Sequence, residues 1–137
     1  MQQTTLTVRG YHIDVYGHVN NARYLEFMED GRWALFSSMT DLNAWSERGL
    51  AFVVVNINID YRRAAHMHDV LTLTTRLVEI GSRNAVLEQQ FHHQESGQLL
   101  ASARVTFVVV DTRLQKAISI EGEMLDMLQA MQAAGQA

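Results

Sequence analysis

The chain contains no cysteine and no proline. The first absence rules out disulfides, thiolate nucleophiles and cysteine-ligated zinc. The second rules out a native cis-proline and every proline-made turn. No apolar run approaches the roughly 20 residues that a membrane-spanning helix requires, so no membrane partner is expected. Positive charge is also scarce: 11 Lys and Arg stand against 15 Asp and Glu, a formal charge of −4. A surface of that sign offers no general attraction to nucleic acid or anionic lipid, and a polyanionic ligand would need a local basic patch. The opening residues, Met1-Gln2-Gln3-Thr4-Thr5, lack the basic start and apolar core of a signal peptide, and a cytoplasmic protein is expected.

What is present is a globular composition, 47% apolar and 19% charged over 137 residues. That length supports one core and is too short for two, so a single domain over residues 1–137 is expected. The chain is organised around Asp14 to Phe36, DVYGHVNNARYLEFMEDGRWALF. Asp14 to Asn20 puts a carboxylate and an imidazole in a turn that Gly17 can bend, because glycine reaches positive φ at little cost. Asn20 or Asn21 then serves as N-cap of a helix whose unpaired N–H groups and dipole favour an anion. Ala22, Tyr24, Leu25, Phe27, Met28, Trp33, Ala34, Leu35 and Phe36 spread round that helix, a pattern that predicts burial on nearly every side. Gly31 inside it costs roughly 1 kcal/mol against alanine, and a close backbone approach would account for the loss.

Before the turn, alternation over Thr5 to Arg9 predicts a short strand. After the helix, Asp41 to Arg48 predicts a short second helix, with Thr40 or Asp41 as cap and Gly49 just past its end. Ala51 to Tyr61 is the clearest strand, with Val53, Val55, Ile57 and Ile59 on the core side and Val54, Asn56, Asn58 and Asp60 opposite. Val70 to Glu79, Asn84 to His93 and Leu99 to Asp111 continue as an antiparallel meander through short turns. Ile118 to Ile120 adds an extended piece, and Glu121 to Ala134 reads as a helix with Met124, Leu125, Leu128 and Met131 on its apolar side. The class is α+β: an antiparallel sheet of five or six strands wrapped around one long central helix. Pairing of two such units edge to edge, as a homodimer or homotetramer, would remove an exposed strand edge.

Histidines raise a metal question at His12, His66, His68 with Asp69, and His92-His93. Adjacent histidines on a strand point to opposite faces, and no His-x-x-x-His pair lies on a helix. Neither a metal nor a cofactor is expected.

The pattern Asp14-x-x-Gly17-His18-Val19-Asn20-Asn21-x-x-Tyr24 resembles the signature of the 4-hydroxybenzoyl-CoA thioesterase-like branch of the hotdog superfamily. The similarity extends over almost the whole chain. The segments VRGYHIDVYGHVNNARYLEF and AFVVVNINIDYRRAA look especially close to the bacterial long-chain acyl-CoA thioesterases linked to fatty-acid β-oxidation. The resemblance implies a hotdog fold, an acyl-CoA substrate, Asp14 as the catalytic carboxylate and the backbone N–H near Asn21 as donor to the thioester carbonyl. Relatives often carry proline where this chain has Ala64.

Each candidate also has a plainer reading. Asp14 would act as general base or attack directly to form a mixed anhydride, and otherwise is a turn-capping aspartate. His18 would orient that carboxylate or donate to substrate, or simply occupy the turn. Tyr24 would line the pocket, or be a core aromatic with a satisfied hydroxyl. Glu26 and Glu29 read as solvent or interface groups. Arg62 and Arg63, with Arg83, Arg104, Arg113 or Lys116 in support, would meet coenzyme A phosphates, or form a solvated basic turn. The expected activity is hydrolysis of fatty acyl-CoA to the acid and free coenzyme A. A hotdog hydratase or dehydratase, and a non-catalytic acyl-CoA or acyl-carrier-protein binding module, are the alternatives.

Overall fold

The computed structural model describes residues 1–136. The elements are β1 (Gln2–Thr7), a 3₁₀ turn (Gly10–His12), α1 (Asn21–Met39), α2 (Leu42–Glu47), β2 (Leu50–Tyr61), β3 (Val70–Ile80), β4 (Asn84–His93), β5 (Leu99–Asp111), β6 (Lys116–Ala117) and α3 (Gly122–Gln136). Five strands form an antiparallel sheet in the order β1-β3-β4-β5-β2, with β6 paired to β5. The strand expected at Thr5 to Arg9 begins three residues earlier and ends two earlier, because Gln2 to Thr7 pair with Thr75 to Val70. The last extended piece is likewise Lys116–Ala117 rather than Ile118 to Ile120. The second helix starts as expected, with the Asp41 carboxylate accepting from the N–H groups of Asn43 and Ala44.

α1 lies on the sheet by a single stripe. Tyr24, Met28, Gly31, Leu35 and Phe36 are buried, a spacing of four, three, four and one that keeps to one side of a 3.6-residue helix. The expectation of burial on nearly every side is therefore corrected: Leu25 is 41% and Trp33 56% exposed. One sheet covers only one side of a helix, and the opposite side of α1 keeps these large apolar groups exposed. Beneath the stripe, Met28, Leu73, Leu77, Leu87, Phe91 and Phe107 are fully buried, each worth roughly 1.5–3 kcal/mol of apolar transfer.

At Gly31 the helix backbone comes close to the sheet. A Cβ there would stand 2.8 Å from both Leu73 Cδ2 and Thr75 Oγ1, and 3.0 Å from Gln89 Nε2, so only glycine lets the helix backbone settle this close. The space is used by polar groups. The buried Gln89 amide donates to the Met28 carbonyl and to Thr75 Oγ1, both at 2.9 Å, and its Oε1 accepts from Arg32 Nη1 at 3.1 Å. Every amide hydrogen bond made here offsets a desolvation cost of about 1–3 kcal/mol.

β2 departs from the expected face assignment. Val54 pairs with Phe107 and Asn56 with Thr106, which leaves Val55 unopposed as a bulge. A bulge adds one residue to a period-two pattern and so switches which parity faces inward. Before it, Phe52 packs on Phe36 and Phe107 with ring centroids 4.8 and 5.7 Å apart. After it, Ile57 and Ile59 pack against the core. Val53 and Val55, expected inside, are 42% and 57% exposed. β2 is also the edge of the sheet.

On the other side of the sheet, β1 is the edge strand and covers only part of β3. β1 stops opposite Thr75, and α3 takes over from there: Gln132 Nε2 donates to the Val78 carbonyl at 2.9 Å. Gly135 comes within close contact of Arg76. The amino terminus of Met1 donates to the Ala134 carbonyl at 2.9 Å.

Candidate functional site

The Asp14 turn is built by its own backbone. Asp14 N–H donates to the His18 carbonyl at 2.8 Å and Gly17 N–H to the Asp14 carbonyl at 3.0 Å, with Gly17 at φ 78°. Val19 N–H reaches the Ala65 carbonyl at 2.9 Å, and His18 bridges to His66. Two chain segments thus lock the turn from either side. One carboxylate oxygen of Asp14, Oδ1, accepts from Tyr16 N–H at 2.9 Å and His18 N–H at 3.3 Å. No hydrogen bond engages Oδ2 among the described residues. The half-buried side chain is therefore held by one oxygen and free at the other.

His18 touches Asp14 through its backbone N–H and not its imidazole. Its exposed ring stands edge-on to His66, centroids 5.1 Å apart.

The helix start follows directly. Asn20 is the N-cap, its Oδ1 accepting from Ala22 N–H at 2.9 Å, and its carbonyl accepts from Arg23 N–H. Among the described residues nothing accepts the N–H of Asn21. The positive end of α1 thus presents an open donor one residue beyond its cap.

Tyr24 lies one turn further along and is only 3% exposed. It packs edge-on to Phe91 and Tyr61, centroids 5.0 and 5.2 Å apart. Burial pushes its hydroxyl up to about 12, with Tyr61 and Asp69 adding to the shift, so it is neutral at any physiological pH. Tyr61 was not singled out from the sequence, yet its hydroxyl donates to the Asn21 carbonyl at 3.1 Å. Burial raises its pKa as well. Its place at the end of the strand just before the basic pair was the available signal.

Arg62 and Arg63 follow Tyr61 at the same end of the sheet. Both backbone N–H groups donate to the Leu100 carbonyl, at 2.8 and 3.1 Å. Their exposed side chains form no ion pair among the described residues. The supporting cations named from the sequence are not with them. Arg104 pairs with Glu79 at 2.6 Å, and the Arg113 guanidinium lies against Gly49. Arg113 and Lys116 follow the far end of β5, roughly 36 Å of strand from Leu100. Arg83 belongs to the β3–β4 turn, whose Asn84 pairs with Val108 near that same end.

Asp69 gathers a group the sequence did not reveal. Its Oδ2 accepts from His66 N–H at 2.9 Å and lies 3.7 Å from His66 Nδ1, while Oδ1 stands 3.5 Å from His93 Nε2. Among the described residues no three or more His, Asp or Glu side chains are grouped to hold a metal. His12 is separate: its Nδ1 accepts from Arg9 N–H at 2.9 Å. Its pKa is lowered, first by burial and then by Arg23.

A cavity of about 270 Å³ opens further along α1, between that helix, α2 and β2. Trp33, Phe36, Leu42, Phe52 and Phe107 give it a mainly apolar wall, and Glu29, Arg32 and Ser46 are its polar members.

Residues 8–130 match the family described as the thioesterase-like superfamily. The chain belongs to that superfamily. Two curated relatives agree with the assignment. It is 46% identical over 129 residues to the long-chain acyl-CoA thioesterase FadM of Escherichia coli strain K12, covering 94% of this chain and 98% of that one. It is 31% identical over 113 residues to the acyl-CoA thioesterase YbgC of Haemophilus influenzae, covering 81% and 82%. The crystal structure of the probable thioesterase YbaW from Escherichia coli superposes with a TM-score of 0.90 at 45% identity, covering 96% of this chain and 99% of that one. The thioesterase-like chain therefore has the hotdog fold and is an enzyme, a thioester hydrolase.

Proposed function

We propose that the protein is an acyl-CoA thioesterase that releases long-chain fatty acid and coenzyme A, acting as one hotdog domain over residues 1–137. One observation carries the reading: a half-buried carboxylate with a free oxygen, in the turn that leads straight into an open N–H at the start of α1. In this reading the thioester carbonyl oxygen accepts the Asn21 N–H. A donor of that kind contributes about 3–4 kcal/mol to the developing oxyanion in comparable sites. Asp14 Oδ2 then takes a proton from water as the water attacks the carbonyl carbon, and the tetrahedral intermediate expels the coenzyme A thiolate. The variant route has Asp14 itself attack the carbonyl carbon and displace the coenzyme A thiolate, giving a mixed anhydride that water opens. His18 borders the turn, and Tyr24 forms the floor beneath the helix start. Arg62 and Arg63, unpaired at the same end, meet the coenzyme A phosphates. Similarity to relatives named as acyl-CoA and long-chain acyl-CoA thioesterases supports the substrate class.

The exposed edge of β2, with Val53, Val54 and Val55 all exposed, supports pairing of two copies across that strand as a homodimer, with a homotetramer as the larger assembly. An unpaired apolar edge is a standing liability that such pairing removes.

The test is thiol release from short, long and aromatic acyl-CoAs by the wild type and Asp14→Asn. Asparagine keeps an Oδ1 acceptor for Tyr16 and His18, so the turn is preserved while the base is lost. Turnover is expected to fall about 10²–10⁴-fold with the thermal midpoint nearly unchanged. Equal rates in both proteins would remove Asp14 from the chemistry. Absence of thiol release from every substrate would favour a hydratase or a binding module.

A further inference from the structure

Val8 anchors the chain before the Asp14 turn. It is fully buried, its N–H donates to the Asp69 carbonyl at 2.9 Å, and its carbonyl accepts from His68 N–H at 2.8 Å. From there the chain closes on itself at His12. His12 N–H donates to the Arg9 carbonyl at 3.0 Å, and Arg9 N–H donates in return to His12 Nδ1 at 2.9 Å. The His12 carbonyl accepts from Asn20 N–H at 2.9 Å, Ile13 bridges Val19, and Asp14 N–H reaches the His18 carbonyl at 2.8 Å. Residues 12–20 are thus a small antiparallel loop, with Asp14 on one arm, the Asn20 cap at its base and His12 as its link to buried Val8. The His12 ring lies edge-on to Phe27 of α1, centroids 5.0 Å apart, and to Tyr11 at 4.3 Å.

We propose that His12 is a positioning residue for the hydrolysis: its Nδ1, by accepting the Arg9 N–H, holds the loop that carries Asp14 and the Asn20 cap against α1, and a proton on the ring releases that hold. The proposal rests on the thioesterase reading above and deepens it. Only the neutral ring can do this. Because Nδ1 accepts, the ring proton is on Nε2; a second proton puts an N–H on both nitrogens, and two donors then face each other at Arg9. The surroundings favour the neutral form. Burial lowers the pKa of His12 from 6.5, Arg23 and Arg9 add to the shift, and Glu26 opposes it. Glu26 is itself paired with Arg23 at 2.8 Å. Tyr11 and Asp30 also border the ring's side of the molecule, in a cavity of about 540 Å³ to which β1 contributes only threonine and leucine. Since the folded pKa lies below the unfolded one, the hold is fully present above about pH 6.5 and is lost as pH falls through the folded value. A loosened loop misplaces Asp14 and the Asn21 donor together, and an error of about 1 Å can cost roughly a hundredfold in rate.

The experiment measures kcat and KM between pH 5 and 8, with the most rapidly hydrolysed acyl-CoA, in the wild type, His12→Asn and His12→Phe. Asparagine offers Oδ1 in place of Nδ1 and does not titrate, whereas phenylalanine keeps the packing on Phe27 and Tyr11 and offers no acceptor. At pH 7.5 His12→Phe is expected to lose about tenfold or more in kcat with KM within about twofold, and His12→Asn to stay within about threefold of the wild type. The wild-type kcat is expected to fall below about pH 6.5, and the fall to move to lower pH in His12→Asn. His12→Phe as active as the wild type, His12→Asn as damaged as His12→Phe, a change confined to KM, or an acid fall unmoved in His12→Asn each overturns the proposal and leaves the hydrolase reading to Asp14→Asn. If His12→Phe does not fold, His12→Ala takes its place, because it too lacks the acceptor that His12→Asn keeps. Should the wild type release no thiol from any acyl-CoA, the hydrolase reading fails instead, and amide hydrogen exchange at Asn20 decides whether His12 holds the loop. Exchange about tenfold or more faster in His12→Phe than in the wild type upholds that hold, and equal exchange removes it.

Discussion

The two ends of the first eleven residues of α1 are made in opposite ways. At Gly31 the helix touches the sheet so closely that no Cβ fits, and a fully buried Gln89 amide is hydrogen-bonded on both its nitrogen and its oxygen. At Asn21 the helix end is exposed, and among the described residues one N–H has no acceptor and the preceding carboxylate keeps one oxygen free. The first region spends its polar groups on stability and leaves none for a ligand. The second leaves them uncommitted, which costs stability and, in the proposed reaction, supplies chemistry. A fold can carry an open donor where a closed, satisfied contact nearby fixes the backbone that presents it.

Changes at the closed end should test this contrast most severely. Gly31→Val drives a branched side chain into Leu73, Thr75 and Gln89, and is expected to cost about 3 kcal/mol or more in chemical denaturation. Activity should be lost only in step with folding. Next, Gln89→Leu strips Thr75 and Arg32 of their partner and should cost about 1–3 kcal/mol by the same measurement. If that variant were as stable as the wild type, the polar contact would be dispensable and the contrast would fail. At the open end, Asn20→Ala removes the cap and should cost only about 1 kcal/mol, yet lower kcat by more than that loss explains, because it loosens the turn that holds the Asn21 donor. Equal losses at Asn20 and Gln89 in both assays would erase the distinction.

The smallest effect concerns Tyr24. Its folded pKa of about 12 lies above the unfolded value near 10, so the native state holds a proton that the unfolded chain releases first. That contribution is complete below about pH 10 and is lost as pH rises toward 12. Tyr24→Phe should flatten the alkaline fall in unfolding free energy, read by denaturant titration between pH 9 and 11.

Much of this was legible from local rules. The helix starts at Asn20 or Asn21 and at Thr40 or Asp41, which the structure resolves to Asn20 and Asp41, and the antiparallel meander follow from residue chemistry and period, and Gly31 announced a close approach by its cost. Three features depended on distant partners instead. Apolarity all round α1 described what the helix can bury, whereas a single sheet decides what it does bury, leaving Leu25 and Trp33 outside. The bulge at Val55 is set by register against Phe107 and Thr106, fifty residues away, so alternation alone assigned Val53 and Val55 to the wrong side. Around the site, Tyr61 reaches Asn21 across 40 positions, and Asp69 meets His93 only because β3 and β4 align Leu71 with His93. Spacing along the chain carries no trace of such meetings.

The Gly31 contact has a mechanical meaning for the open end. Ten residues separate it from Asn21, a rigid arm of about 15 Å. With Gly31 as fulcrum, a tilt of about 4° swings the Asn21 N–H by about 1 Å, a misplacement that can cost roughly a hundredfold in rate. In the proposed reaction, fine control therefore lies in the seating of the pivot, two to three helical turns from the Asn21 donor.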